Sequence, residues 1–206
     1  LEPYLSSVVM SGTLLEGSSL PHKVSLIEKI ISGESHISVA YAEPSIGYNF
    51  YNGTTSVSEK GDDLVLNGSK TLVLNAQKSD HFIVLANKND QPCLVLVDKS
   101  SDGFSMLSFQ SLGGQTCGDL TFENVVVSPD AMLAEGDAAV TLFNSMLNVA
   151  TLCISAEAVG AMAASYQKTV QYTKERQQFS QPISNFQVLQ HRMVDMFIET
   201  EITKSL

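Results

Sequence analysis

The chain has 206 residues and carries 12 Lys+Arg against 22 Asp+Glu, a formal net charge of −10. Hydrophobic residues at 44% and charged residues at 17% supply enough apolar side chains for a packed core and argue against disorder. The acidic balance speaks against nucleic acid as a partner, because neutralising phosphates takes a stripe of Lys and Arg.

No continuous apolar run approaches the roughly 18–20 residues of a membrane span, and the first residues show no basic-then-apolar leader. The expectation is therefore no membrane span. Three cysteines (Cys93, Cys117 and Cys153) are widely spaced, odd in number and without a CxxC pair. They predict neither a disulfide framework nor a structural zinc site, and a reducing, cytoplasmic location is expected.

Residues 1 to about 35 read as helix–loop–helix. Leu5, Val8 and Val9 begin an apolar face, Gly17 to Pro21 breaks it, and Val24, Leu26, Ile27, Ile30 and Ile31 resume it before Gly33. From residue 36 to about 128 the pattern changes to short alternating segments. Ile37, Val39 and Tyr41 alternate and end at Glu43-Pro44. Val57 and Leu64 to Leu66 flank Lys60-Gly61-Asp62-Asp63, a hairpin signal. Further strands are expected at Thr71–Leu74, His81–Ala86, Cys93–Val97, Phe104–Phe109 and Leu120–Val127. Short strands at this spacing predict an antiparallel sandwich or barrel rather than βαβ units.

From about residue 137 the period returns to 3.6 residues. Val140, Phe143, Leu147, Ala150, Ile154, Ala158 and Met162 step by three and four along one helix face. Pro182 interrupts, Ser184-Asn185-Phe186-Gln187 offers a capping box, and Phe186, Leu189, Met193, Phe197 and Ile202 make a second face running to Leu206. A two-helix hairpin cannot cover both stripes by itself, so helices from elsewhere in the protein or from another subunit are expected against them. A homo- or hetero-oligomer, dimer or tetramer, follows as the expectation.

Common self-contained catalytic signatures are missing. GxSxG is absent, and His22, His36, His81 and His191 have no metal-ligand spacing, so no metal site is expected. The glycine-rich Gly113-Gly114-Gln115-Thr116-Cys117-Gly118 precedes a strand pattern, which fits neither a P-loop nor a Rossmann turn. Three stretches are informative together: Val39-Ala40-Tyr41-Ala42-Glu43-Pro44-Ser45-Ile46-Gly47-Tyr48-Asn49, Leu66-Asn67-Gly68-Ser69-Lys70-Thr71-Leu72-Val73-Leu74-Asn75, and Tyr172 through Arg176-Gln177-Gln178-Phe179 to Phe186-Gln187.

In this order they resemble the acyl-CoA dehydrogenase family, flavoenzymes that desaturate acyl-CoA thioesters between the α and β carbons, and within it the small subunit of pimeloyl-CoA-type dehydrogenases. The resemblance implies an α+β chain: residues 1–35 end an amino-terminal helical domain, 36–130 form the middle β-barrel or sandwich domain, and 131–206 begin a carboxy-terminal helical bundle. It implies FAD as cofactor, an acyl-CoA substrate and an electron-transfer flavoprotein as partner. Strand backbone at Val39, Tyr41, Ala42, Gly47 and Tyr48 would face the flavin pyrimidine, and Leu72, Val73 and Leu74 would lie beside the ring. Arg176, Gln177, Gln178, Phe186 and Gln187 would reach the FAD of a neighbouring subunit. Tyr48, Asn148 and Thr151 would stand toward the acyl-CoA.

The sequence departs from the family pattern at informative places. Ala42 replaces a Thr, Leu72-Val73-Leu74 replaces Trp-Ile-Thr, and Tyr48 replaces a Ser. Backbone contacts do not depend on those side chains, whereas hydroxyl contacts do. Ala150 and Thr151 stand where a minority of relatives have the catalytic Glu and an Arg, so no residue of this chain is nominated as the base. Two functions remain open: an FAD-dependent acyl-CoA dehydrogenase subunit whose base lies beyond these residues, and a non-catalytic partner subunit of a heteromeric enzyme.

Overall fold

The computed structural model describes residues 3–44 and 46–205. Ser45 of the Ala-Glu-Pro loop and Leu206 at the end of the last apolar face lie outside them. The chain divides into two compact units, Leu1–Ala150 and Thr151–Leu206.

The first unit starts with a π-helical turn, Tyr4–Ser11, continuing into α1 (Gly12–Gly17). After a break comes α2 (Lys23–Ser32), closed by left-handed Gly33 with its amide bonded to the carbonyls of Ile30 and Lys29. Ten strands follow: β1 (Ile37–Ala40), β2 (Ser56–Lys60), β3 (Asp63–Leu74), β4 (His81–Lys88), β5 (Gln91–Asp98), β6 (Phe104–Gln110), β7 (Thr116–Val127), β8 (Met132–Glu135), and the short β9 (Gln177–Gln178) and β10 (Gln181–Pro182) of the second unit. The hairpin read at Lys60–Asp63 is present, with those two residues paired across Gly61 at φ 65.

The first eight strands make one sheet in the order β6-β7-β3-β2-β4-β5-β8, with β1 added on β4. The expected α+β architecture is present, with two differences. β1 and β2 pair with β4 in parallel, so the sheet is mixed. Among the described residues the path ends at β6 and β8, leaving a sandwich-like sheet and no closed barrel.

The sheet has two cores because β4 and β5 are buried on both faces. Ile83, Leu85, Leu94 and Leu96 pack with Leu14, Leu15, Leu26 and Phe143 of the helices. Phe82, Val84, Ala86, Cys93, Val95 and Val97 turn the other way, toward Leu64, Leu66, Val73, Leu120 and Phe122 of β3 and β7. Successive side chains on a strand point to opposite faces, so a continuous apolar run is what a doubly covered strand requires. Each fully buried large aliphatic side chain contributes about 1.5–3 kcal/mol.

One long helix, α3 (Asp137–Glu175), and α4 (Gln187–Ser205) complete the chain. The capping box read at Ser184–Gln187 does not form. Ile183–Asn185 take a 3-10 turn, Phe186 is extended, and α4 begins only at Gln187. Ser184 instead accepts through its carbonyl from Gln190 Nε2 at 3.0 Å. The expectation of no span-sized segment also needs correction. α3 is long and apolar enough to cross a membrane by length and composition alone. No unbroken apolar run produces this. Small and aliphatic residues with few charges between them do, a composition that the core helix of a helical bundle shares.

Candidate functional site

Where β1 ends, the chain turns through Tyr41, Ala42 and Glu43 and is tied at once to β3: the Thr71 amide donates to the Ala42 carbonyl at 2.9 Å. On either side of this main-chain bond, Glu43 and Lys70 form an ion pair at 2.7 Å, with side chains 3% and 1% exposed. The second carboxylate oxygen accepts from the Thr54 amide at 2.7 Å and the Thr54 hydroxyl at 2.9 Å, while the first also accepts from the Thr55 amide at 3.1 Å. Burial alone would push the Glu43 carboxyl up. The hydrogen bonds from Lys70, Thr54 and Thr55, with the Lys70 charge, outweigh it and hold the carboxyl at about 2. Burial also presses the Lys70 ammonium below its ordinary value, offset in part by Glu43. The Ala-Glu-Pro and Asn-Gly-Ser-Lys motifs are therefore two halves of one knot.

Beyond Lys70, β3 bulges against β7 between Lys70 and Val73. Leu72 sits in the bulge with φ 55, a left-handed conformation that costs a non-glycine residue about 1 kcal/mol or more. Asp119 of β7 holds it there, accepting from the Thr71 hydroxyl at 2.6 Å and the Leu72 amide at 3.0 Å. The Leu72 side chain is 60% exposed, whereas Val73 is buried in the second core. Leu74 is half-buried, and its carbonyl accepts from Ser38 Oγ at 2.6 Å. Asn75 follows at φ 58, with a buried Nδ2 that has no hydrogen-bond partner among the described residues. The Val39 side chain likewise lies in the first core, so Val39 and Val73 have only backbone to offer a ligand.

The loop from Ile46 to Asn52 packs an aromatic cluster onto the start of α3. Tyr41 meets Phe50 edge-on at 5.0 Å, and Phe143 meets Tyr41, Phe50 and Tyr51 at 5.6, 5.9 and 5.9 Å. The Tyr51 hydroxyl donates to Asn144 Oδ1 at 2.8 Å. Gly47 is left-handed at φ 54, and Tyr48 stands 95% exposed beside Phe50. Asn148 is exposed one turn beyond Asn144 on α3, and Ala150 is buried. Tyr51→Phe is expected to lower stability by about 1 kcal/mol, since one hydrogen bond to a side-chain amide is lost with little change in packing. Chemical denaturation checks this.

In the second unit, Thr151 is exposed and its carbonyl accepts from Ser155 Oγ at 2.9 Å. α3 ends at Glu175, and Arg176 follows with its carbonyl bonded to the Ile183 amide at 2.9 Å. The Arg176 side chain is exposed and, among the described residues, makes no salt bridge. β9 and β10 form a two-stranded hairpin whose turn residues, Phe179 and Ser180, both have positive φ (54 and 65). A type I′ turn has that signature and normally uses Asn or Gly. It leaves Phe179 85% exposed, edge-on to Phe186 at 5.9 Å. Gln177, Gln178 and Gln187 are exposed near the same hairpin. α3 and α4 are joined by Thr173 Oγ1 donating to Met193 Sδ at 3.3 Å and by Tyr166 against Phe197 at 5.7 Å.

Sequence reasoning gave no role to Glu43, Lys70, Asp119, Asn75, Asn144 or Phe179. For Lys70 a signal existed: it falls on the inward register of β3 with Leu64 and Leu66, where a lysine needs a buried partner. Among the described residues there is no His, Cys, Asp or Glu cluster that could hold a metal.

Comparison with known proteins agrees with this architecture. The profile for "Acyl-CoA dehydrogenase, middle domain" matches residues 38–125, and that for "Acyl-CoA dehydrogenase, C-terminal domain" matches residues 140–206. The chain belongs to the acyl-CoA dehydrogenase family. It is 31% identical to 3-(aryl)acrylate reductase of Clostridium sporogenes, over 98% of this chain and 56% of that protein. It is 30% identical to glutaryl-CoA dehydrogenase of Desulfococcus multivorans (94% and 52%) and 28% identical to the CarC subunit of the caffeyl-CoA reductase-Etf complex of Acetobacterium woodii (98% and 56%). Among solved structures, a glutaryl-CoA dehydrogenase from Mycobacterium smegmatis in complex with FADH2 superposes with TM-score 0.90 at 27% identity, over 97% of this chain and 52% of that one. The chain spans about half the length of the curated relatives it matches.

Proposed function

We propose that this chain is the FAD-holding portion of an acyl-CoA dehydrogenase that introduces an α,β double bond into an acyl-CoA thioester, or removes one in the reverse direction. The observation that carries the reading is the strained Leu72 bulge beside the knotted end of β1. Two backbone segments are fixed there beside the exposed apolar side chain of Leu72. That arrangement fits a flat heterocycle that needs an apolar wall and main-chain partners. Bound FAD supplies the hydride acceptor.

In this proposal the backbone of Val39 to Tyr48 meets the pyrimidine edge, and Leu72 and Leu74 flank the ring. Asn148 and Tyr48 stand toward the acyl-CoA. Arg176, free of acidic partners among the described residues, takes a phosphate of a neighbouring subunit's FAD, with Gln177, Gln178, Phe179, Phe186 and Gln187 beside it. The proton at the α carbon goes to a carboxylate outside these residues, because Ala150 and Thr151 carry no ionisable group. The relative in an Etf complex supports an electron-transfer flavoprotein as the redox partner.

A second reading, a non-catalytic subunit that completes a partner's site, is favoured by the same Ala150 and Thr151 and by the hydroxyls missing at Ala42 and Leu74. The full-length protein purified by itself is expected to be yellow, with about one flavin per chain. Colour that develops only on co-expression with a neighbouring dehydrogenase subunit would favour the second reading. Arg176→Ala is expected to weaken flavin retention about tenfold, the loss of one charge-assisted contact to phosphate. Unchanged retention would make Arg176 a surface residue.

A further inference from the structure

The Glu43–Lys70 pair is built at a cost that stability alone does not explain. A buried ion pair gains little over an apolar pair of the same volume, because desolvating both charges consumes most of their attraction. Here the surroundings are nevertheless shaped around it. Gly53 leaves no room for a Cβ against the Glu43 carboxylate, and a Cβ on Gly68 (φ +139) would stand 2.6 Å from the Thr55 Cα. The Asn87 amide grips the Gly53 carbonyl at 2.8 Å, and the Thr55 hydroxyl donates to the Ser69 carbonyl at 3.1 Å. Glu43 thus fastens three separate segments, residues 41–43, 53–55 and 68–71, through directional bonds that an apolar contact cannot supply. The main-chain bond from Thr71 to Ala42 lies between the two charges, one residue from each.

We infer that Glu43 and Lys70 are positioning residues that set the distance and orientation between the loop after β1 and the Leu72 bulge, and thereby the fit of the flavin ring between them. The inference rests on the FAD reading above. Neither side chain reaches a ligand, since both are buried; they act through the backbone of Tyr41, Ala42, Thr71 and Leu72. A device for geometry and a device for stability part company when both charges are removed together. The double variant Glu43→Gln/Lys70→Met keeps volume and leaves no unpaired charge, so its stability recovers toward wild type; a glutamine oxygen can still accept from Thr54 and Thr55, but the bond that ties residue 43 to residue 70 stays lost.

The test uses the full-length protein with any co-purifying subunit, comparing wild type, Lys70→Met, the double variant and Thr54→Val. FAD affinity is read by flavin fluorescence, the visible absorption bands of the bound flavin are recorded, and thermal unfolding is followed on the same samples. The double variant is expected to regain most of the thermal midpoint lost by Lys70→Met yet to bind FAD at least tenfold more weakly, with displaced bands. Thr54→Val removes only one hydroxyl donor on a half-open turn. It is expected to lower the midpoint by only a few degrees and to weaken FAD about threefold, which keeps the test decisive should the double variant not fold. Affinity and bands that return to wild type together with stability, or Thr54→Val binding FAD normally, would overturn the inference. A wild-type protein that unfolds cooperatively but takes up no FAD, by itself or with its partner, would instead overturn the cofactor reading on which it rests.

Discussion

Lys70→Met is expected to lower the free energy of unfolding by about 3–5 kcal/mol at neutral pH, because it strands a carboxylate that is 3% exposed. Glu43 retains the Thr54 and Thr55 bonds but loses its only ion-pair partner among the described residues. The pH dependence has a definite sign. The Glu43 carboxyl is held at about 2 in the folded chain against an ordinary 4.5, so the folded state favours the deprotonated form. Its contribution is complete above about pH 4.5 and falls away as the pH drops toward 2, by on the order of a few kcal/mol. Guanidinium unfolding at pH 7 and at a series of acidic pH values measures both effects. Wild type should lose stability across that acid window, and Lys70→Met should lose much less there. A difference at pH 7 below about 1 kcal/mol would show that the pair carries no net constraint.

Gly68→Ala should cost about 2–4 kcal/mol, for reasons that combine backbone and packing. The residue occupies φ +139, which side-chain-bearing residues rarely adopt, and its new Cβ would meet the Thr55 backbone at 2.6 Å. Backbone cannot rotate aside as a flexible side chain can, and moving Thr55 withdraws an amide from Glu43. Gly61→Ala is the matched control. It also has positive φ (+65) but meets nothing within 4 Å, so it should cost only about 1 kcal/mol. Equal losses in the two variants, measured by the same unfolding curves, would mean that the close approach of β3 to residues 53–55 is unimportant.

How much of this was legible in the sequence depended on distance along the chain. The β2–β3 hairpin, strands β4 to β7 and the long helices announce themselves through local periodicity and turn residues. β8, four residues beside a 3-10 turn, carries too little pattern to be read. The parallel pairing of Ile37–Ala40 with His81–Val84 joins segments more than forty residues apart, and alternation says nothing about which strand a neighbour will be. At the candidate site, the Ala-Glu-Pro and Asn-Gly-Ser-Lys motifs could be recognised separately. Their union could not, because isolated Glu and Lys read as surface residues until the fold removes them from water. The exposure of Leu72 and the burial of its neighbour Val73 depend likewise on the bulge opposite Asp119, a feature of two strands together. The capping box at Ser184 failed for a local reason: the 3-10 turn before Phe186 moves the helix start by two residues.

A crystal structure of the full-length protein grown with FAD tests the central claim most directly. The predicted result is an isoalloxazine ring whose pyrimidine edge lies within hydrogen-bond distance of main chain between Ala42 and Tyr48, with the Leu72 side chain against the ring. A flavin seated away from both segments, or no flavin taken up at saturating concentration even with a co-expressed partner subunit, would contradict it.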